Sequence, residues 1–443
     1  MPKQTIQILI LIAAACHIAP AADLLTLDQA IDLALEQNRG LQNSILESQK
    51  AQDNVEANRT RQFPSFSLTA TGAQQLQSFD FTIEKGALGN YAGTGPLPGN
   101  DVHLKSPMEP SALLMNKVSQ PLSSLIRIRR NLDTLKTGVE IANEQARADR
   151  QKTIRDVKHA YYSLQQLQAS LRSVRQTQQL YAELEKLTEN YVAGAVVLKG
   201  DLLDVQTRVA RTEQTAQQIL DQMASGKEQL NQLLGREVLI DFEVQPVLET
   251  TGDDLSLEAA RGLALTQRPE VRQAQLRQKQ AEQDLRAKKA EYIPDVSADV
   301  NAITLLNYGR FLPVQSTNVG VSVSWEPFDW GRKKHETAGK QRTVDEARNT
   351  QRDAENAVLI DVNDKYRQLR QSRMQLRVAR LEQETSLENL RVAKNRYVVE
   401  AALLKDVLQN QAGLEQSNSD YQQALVTFWN ARAEFERALG EDR

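Results

Sequence analysis

Two long stretches of this chain carry apolar residues at spacings of three and four. The first runs Ile154, Val157, Tyr161, Leu164, Leu167, Leu171, Val174, then Tyr181, Leu184, Leu187 and Tyr191. The second runs Val362, Tyr366, Leu369, Leu376, Leu387, Leu390 and Tyr397. Residues 122–245 and 328–443 contain no proline, and both are rich in Gln, Glu, Arg, Leu and Ala, good helix formers. A narrow apolar stripe on an otherwise polar helix is the coiled-coil pattern rather than that of a core helix. At about 1.5 Å per residue, a helix from Leu122 to Tyr191 would run roughly 100 Å. Each block breaks once, near Gly194–Gly200 and near Glu400–Lys405. The pattern predicts two antiparallel helical hairpins, over 122–235 and 328–440.

Between the helical blocks the period falls to two. Val319, Val321, Val323 and Trp325 alternate with Gly320, Ser322 and Ser324. Val296, Ala298, Val300 and Ala302 alternate with Ser297, Asp299 and Asn301. These predict strands at about 295–308 and 317–327. A strand at about 65–83 starts with Phe66, Leu68 and Ala70, then changes parity to Phe79, Phe81 and Ile83, which suggests a bend or bulge. A fourth, at about 111–121, has the weakest alternation. Residues 84–110 hold five glycines and four prolines and read as a long exposed loop.

The chain also repeats itself. Leu24 to Ser67 matches Asp254 to Ser297 without a gap, with identities such as Ala30/Ala260, Ala34/Ala264, Leu46/Leu276 and Pro64/Pro294. Pro121 matches Pro327, Tyr191 matches Tyr397, and Leu234-Gly235 matches Leu439-Gly440. Most of the length difference lies between the prolines. Such self-similarity sets the plan: a first repeat over 23–235, a linker over 236–254 and a second repeat over 255–443. Each would comprise helix, β-hairpin and coiled-coil helical hairpin, a mostly α fold with a β segment.

Apolar residues on one strand face and small or polar ones on the other suit a membrane barrel with a wet lumen, or a soluble hairpin packed on a helix. The flanks favour the membrane. Trp325, Phe328 and Trp330 end one strand, and Arg127, Arg129, Arg130 and Arg332, Lys333, Lys334 follow the two exits. Four strands cannot close a barrel, and lipid tolerates no open edge, so copies must associate. Two would give eight strands and a filled interior; three give twelve and room for a channel. The pattern favours a homotrimer.

Composition narrows the field. Among 443 residues, Lys+Arg 54 against Asp+Glu 57 leaves −3, which argues against nucleic acid as a partner. Mean hydropathy is −0.50. After the first 20 residues no apolar run approaches the roughly 18 needed for a membrane helix, which excludes a helical inner-membrane transporter. Residues 1–22, with Lys3, an apolar Ile6–Ala15 and small residues at Ala19, Ala21 and Ala22, are expected to be a signal peptide. Cys16, the single cysteine, follows three alanines and is a candidate for lipidation. With four histidines and that cysteine, no metal or cofactor site is expected. No catalytic signature emerges. His159 is expected to be solvated, as are Asp361 and Asp364.

The turns add a more specific pattern: Arg396-Tyr397-Val398-Val399-Glu400, Leu404-Lys405-Asp406-Val407-Leu408, Gln411, Tyr421 and a closing Ala438-Leu439-Gly440. With the duplication and the opening Leu24–Gln42 segment, the mature chain resembles the TolC family of outer-membrane efflux proteins. The resemblance implies a trimer with a twelve-stranded outer-membrane barrel and a periplasmic helical tunnel, embedded in outer-membrane lipid. Such a duct docks on a periplasmic adaptor and an inner-membrane pump, for efflux or type I secretion. It further implies a pore constriction at the turns, formed by Asp201, Asp204, Asp406, Gln409, Tyr191 and Tyr397. Gln409 stands where the family has a second aspartate. Adaptor docking would fall on Gly194, Ala195, Glu400 and Ala401. Ala402 stands where the family has a basic latch and cannot make that closed-state ion pair. The competing reading is a periplasmic coiled-coil adaptor or structural protein without a pore. An adaptor would carry one hairpin within a small β-domain, not two duplicated ones.

Overall fold

The computed structural model describes residues 23–74, 76–78, 80–105, 108–194, 197–247, 255–307, 314–399 and 401–442. The first half runs β1 (Asp23–Leu25), α1 (Leu27–Gln37), α2 (Arg39–Arg59), β2 (Ser65–Gln74), β3 (Asp80–Ile83), β4 (Asn90–Tyr91), β5 (Gly95–Pro96), β6 (Val102–Lys105), β7 (Pro110–Pro121), α3 (Ser124–Ala193) and α4 (Lys199–Leu234). After β8 (Phe242–Val244) the second half runs α5 (Leu257–Gln267), α6 (Pro269–Lys289), β9 (Asp295–Leu306), β10 (Gln315–Ser324), α7 (Arg332–Val398) and α8 (Leu404–Leu439). The duplication expected from sequence is present in the fold. The bounds of α1 and α5, and of α2 and α6, differ by 230, and α4 and α8, each of 36 residues, differ by 205.

Caps fix the short helices. Thr26 accepts from the Gln29 N–H at 3.2 Å, while Gln29 returns a bond to the Thr26 N–H at 3.0 Å, satisfying donors that would otherwise be orphaned at the start of α1. Ser256 does the first of these for α5, from Ala259 at 3.3 Å. Gly235 and Gly440 end α4 and α8 in the left-handed conformation, at φ 76° and 86°, which only glycine adopts without strain.

The chain divides into two units. The first comprises residues 23–44, 146–269 and 356–442. Its core follows the helical stripe: Ile154, Val157, Tyr161, Leu164 and Leu171 of α3, and Val362, Leu369 and Leu376 of α7, are all buried. Here β1 and β8 form a parallel ribbon, Asp23 opposite Phe242. The Tyr161 hydroxyl lies 2.8 Å from the Leu25 carbonyl oxygen and 2.7 Å from that of Gln245. Burial pushes that phenol up to about 12, so it stays a donor.

The second unit comprises 45–145 and 270–355. Its helices meet through buried apolar residues such as Val55, Leu132 and Leu276 and through polar pairs. Ser48 bonds Asn143, Lys279 lies 3.2 Å from Glu140, and Lys340 lies 3.4 Å from Asp284. Ala281, Leu285 and Val344 form a small apolar cluster. Its antiparallel sheet has the order β10-β9-β7-β2, with β7 of the first half joined to β9 of the second. Among the described residues, β2 and β10 each keep one edge unpaired.

Strand parity sorts the sheet into two faces. The row Val319↔Val300↔Val118↔Phe66 is apolar, and the adjacent row Gly320↔Asp299↔Ser119↔Ser65 is small or polar. Val319 is 78% and Phe66 68% exposed. On the opposite face Asp299 is 3% exposed. It accepts from Ser297 at 3.0 Å and Ser322 at 2.5 Å, with the Lys117 ammonium 3.5 Å away.

Two expected bounds need correction. The strand expected over 65–83 is two strands. β2 stays in the sheet to Gln74, while β3 pairs with β6, Asp80 opposite Lys105. That accounts for the parity change; Phe79 lies outside the described residues. The helix expected from 328 begins at Arg332. Asp329 accepts from the N–H groups of Gly331 (3.1 Å) and Lys333 (2.9 Å), and Trp330 and Gly331 are left-handed, at φ 55° and 86°. That turn uses residues 329–331 as a cap.

Candidate functional site

The hairpin turns are built alike. Lys199–Leu234 and Leu404–Leu439 each place an aspartate at the third helical position. The Asp201 carboxylate accepts from the Leu198 N–H at 3.1 Å, and that of Asp406 from the Leu403 N–H at 3.0 Å. Each is thus a cap at the positive end of its helix dipole. In each the Oδ2 atom makes this bond, and both side chains are exposed.

A cleft of about 500 Å³ runs between these helix starts, lined by Asp201, Asp204, Arg208, Lys405 and Gln409 among others. The structure therefore gathers Asp201, Asp204 and Gln409 together. Asp406 caps α8 but does not line this cleft. Asp204 is exposed and has no partner among the described residues. Arg208 and Lys405 place cations in the same cleft as these carboxylates.

Tyr191 and Tyr397 meet edge to face, centroids 6.3 Å apart. They join a core with Tyr181, Leu184, Val205, Leu404 and Val407. Tyr397 is buried and its hydroxyl has no hydrogen-bond partner. Burial raises its pKa, helped by neighbouring Tyr191 and Asp201. Gly194 and Ala401 are exposed at the turns. Ala195, Glu400 and Cys16 lie outside the described residues. Sequence reasoning missed Leu198 and Leu403, apolar yet 77% and 70% exposed. The signal was present, since Leu-x-x-Asp recurs at both turns.

His159 and Asp361 are less solvated than expected. The His159 Nε2 is buried, 3.7 Å from Glu434 and without a hydrogen bond. Burial lowers its pKa against the raising effect of Glu434. Asp361 lies 2.5 Å from Arg268 and 3.1 Å from Arg437. Burial alone would raise its carboxyl, but the two guanidiniums outweigh it and hold the pKa low. Asp364 lies 3.6 Å from Arg367 on a more open surface. Among the described residues no cluster of His, Cys, Asp or Glu could hold a metal ion. No helix among them is long and apolar enough to cross a membrane.

A duplicated chain with two capped helical hairpins and an apolar-faced, open-edged sheet is the architecture of a tunnel-forming outer-membrane channel, and the comparisons agree. A family model described as "Outer membrane efflux protein" matches residues 30–236 and 260–441. The fold is similar to that of the outer-membrane channel OprN, at 20% identity and TM-score 0.74, covering 94% of this chain and 89% of that one. It is similar to the Campylobacter jejuni CmeC outer membrane channel, at 14% and 0.75, covering 94% and 85%. It is likewise similar to the Neisseria gonorrhoeae MtrE outer membrane channel, at 18% and 0.72, covering 94% and 89%. No curated protein matches the chain. The chain belongs to the outer membrane efflux protein family. Its function is that of an outer-membrane efflux duct, and the family is one of channels rather than enzymes.

Proposed function

We propose that three copies assemble, each giving four strands to a twelve-stranded barrel and two helical hairpins to a periplasmic tunnel. The observation that carries this reading is the sheet itself. One face exposes Phe66, Leu68, Val319, Val321 and Val323, and β2 and β10 keep unpaired edges. An apolar face wants lipid, and an open edge in lipid must be closed by another strand. The β2 edge of one copy pairing with the β10 edge of the next satisfies both.

At the hairpin turns, Asp201, Asp204, Asp406 and Gln409 form the constriction, with Tyr191 and Tyr397 packed behind them. Three-fold symmetry turns each aspartate into a ring. Gly194, Ala195, Glu400 and Ala401 form the adaptor-docking surface, to which the exposed Leu198 and Leu403 add apolar contacts. The duct is passive: a periplasmic adaptor and an inner-membrane pump supply cargo and energy.

Cross-linking of the detergent-solubilised protein from an outer-membrane fraction tests the assembly. The ladder should stop at three. A stable monomer with channel activity would contradict it.

A further inference from the structure

The strand exits of the second unit carry two sets of cations. One set is engaged within the chain. Both terminal nitrogens of Arg127 lie 3.1 Å from one Asp295 oxygen. Arg332 pairs with Glu326 and with Glu336, and Lys333 lies 3.6 Å from Glu326. Lys288 lies 2.7 Å from both Glu291 and Glu336. The other set, Arg129, Arg130, Arg286, Lys289 and Lys334, is exposed. None of these five side chains meets a hydrogen-bond or ionic partner among the described residues. Against them stands Asp133, an exposed carboxylate one turn beyond Arg129, also without a partner.

The two sets point different ways. Arg129 is two residues past Arg127, about 200° round α3. Arg286 is two residues past Asp284, about 200° round α6, and Lys289 is five past it, about 140° round. Asp284 faces Lys340, and Arg127 faces Asp295, which shares strand parity with Ser297 and Asp299 on the polar face. Arg129, Arg286 and Lys289 thus turn away from these ionic contacts, whereas Arg130, three residues past Arg127, lies about 60° from it round α3; the sheet face opposite Asp295 is the apolar one. That face runs down β10 through Val319, Val321 and Val323 to Trp325, 59% exposed, with exposed Phe328 and Trp330 just beyond. Aromatic rings at the end of an apolar face sit at headgroup depth. Guanidinium forks beside them match phosphate geometry.

We propose that this collar binds the phosphate headgroups of anionic phospholipid in the leaflet where the strands leave the sheet. The inference rests on the reading that the sheet spans a membrane. Internal pairing of Arg127, Lys288, Arg332 and Lys333 fixes the strand-to-helix turns, and the remaining cations are left to the lipid. Zwitterionic lipid offers the same phosphate but adds an amine that the net positive charge of the collar repels.

The test uses the full-length purified protein in mixed micelles with equal phosphatidylglycerol and phosphatidylethanolamine, with retained lipid counted by native mass spectrometry. Phosphatidylglycerol should be retained preferentially. The variant Arg129→Gln, Arg286→Gln, Lys289→Gln should lose that preference by roughly fivefold or more. The variant Arg130→Gln, Lys334→Gln should lose part of it. A matched variant at exposed cations of the first unit, Arg211→Gln, Arg370→Gln, Arg377→Gln, should keep it. Equal retention of both lipids by the unmodified protein, or an unchanged preference in both collar variants, would overturn the proposal. So would displacement of the lipid by inorganic phosphate alone at matched ionic strength, which would assign the surface to the free ion. Fractionation of the unmodified protein away from outer membrane would instead strike the membrane-spanning reading. Outer-membrane protein without a lipid preference strikes only the collar.

Discussion

The two halves close their short helices onto their long ones at equivalent joints, yet hold them by different chemistry. In the first half the left-handed Gly235 ends α4 against the end of α1, and the Asn38 amide donates to the Leu233 carbonyl at 2.7 Å. In the second half Gly440 ends α8 against the end of α5, but the residue equivalent to Asn38 is Arg268. That guanidinium is 6% exposed and is held by Asp361. Duplication has kept the backbone and exchanged a neutral hydrogen bond for a partly buried ion pair. Backbone geometry is set by glycine and caps, which a repeat copies directly. Side-chain chemistry at the same joint is free to diverge once its own partners are supplied.

Replacing the two glycines should separate the joints most strongly. A Cβ at Gly235 would sit 2.0 Å from the Gln37 carbonyl oxygen, whereas one at Gly440 would come no nearer than 2.9 Å to the Gln267 backbone. Gly235→Ala should cost at least about 4 kcal/mol and Gly440→Ala clearly less. Thermal melts of helical circular dichroism in detergent would rank them, and equal losses would break the comparison. Next comes Asp361→Ala. It strips Arg268 of the nearest carboxylate at a buried site and should cost about 3 kcal/mol. Asn38→Ala removes a neutral bond and should cost about 1 kcal/mol.

The pH dependence sharpens the contrast. The folded pKa of Asp361 lies below its unfolded value. Its contribution is therefore present above the usual aspartate value of about 4 and is lost as pH falls through the lowered folded one. The destabilisation by Asp361→Ala should shrink on acidification over that window, while that of Asn38→Ala should not change. The smallest effects belong to the turns. Asp201→Asn and Asp406→Asn weaken equivalent caps and should each cost about 0.5 kcal/mol. A much larger loss at one turn would show that the two are not built alike.

Much of this was legible beforehand. The 230-residue offset between Leu24–Ser67 and Asp254–Ser297 matched the two opening segments, for which one helix each was expected; the structure divides each into two, α1 with α2 and α5 with α6. Proline-free blocks gave the hairpins, and period-two alternation gave the four sheet strands. What escaped lacks a local pattern. β3 and β6 are four residues each, too short for periodicity to mark them. The turn at Asp329, Trp330 and Gly331 depends on a left-handed tryptophan, against that residue's preference. The partners of Asp361 and His159 lie on other elements, up to 275 residues away in sequence for Glu434, so their pairing left no spacing to read. At the turns the aspartates stood out by position. Leu198 and Leu403 were marked only by the repeated Leu-x-x-Asp, because a single leucine at a turn reads equally as core.

The central claim is that the acidic hairpin turns form the narrow mouth of a conducting duct. Like carboxylates crowded at such a mouth attract cations. Single-channel recording in a planar bilayer, with a trivalent cation added on the side of the turns, tests it most directly. The unmodified channel should be blocked from that side, and the triple variant Asp201→Ala, Asp204→Ala, Asp406→Ala should be largely released from block. Unchanged block in the triple variant would contradict the account, leaving these aspartates as helix caps and the constriction elsewhere.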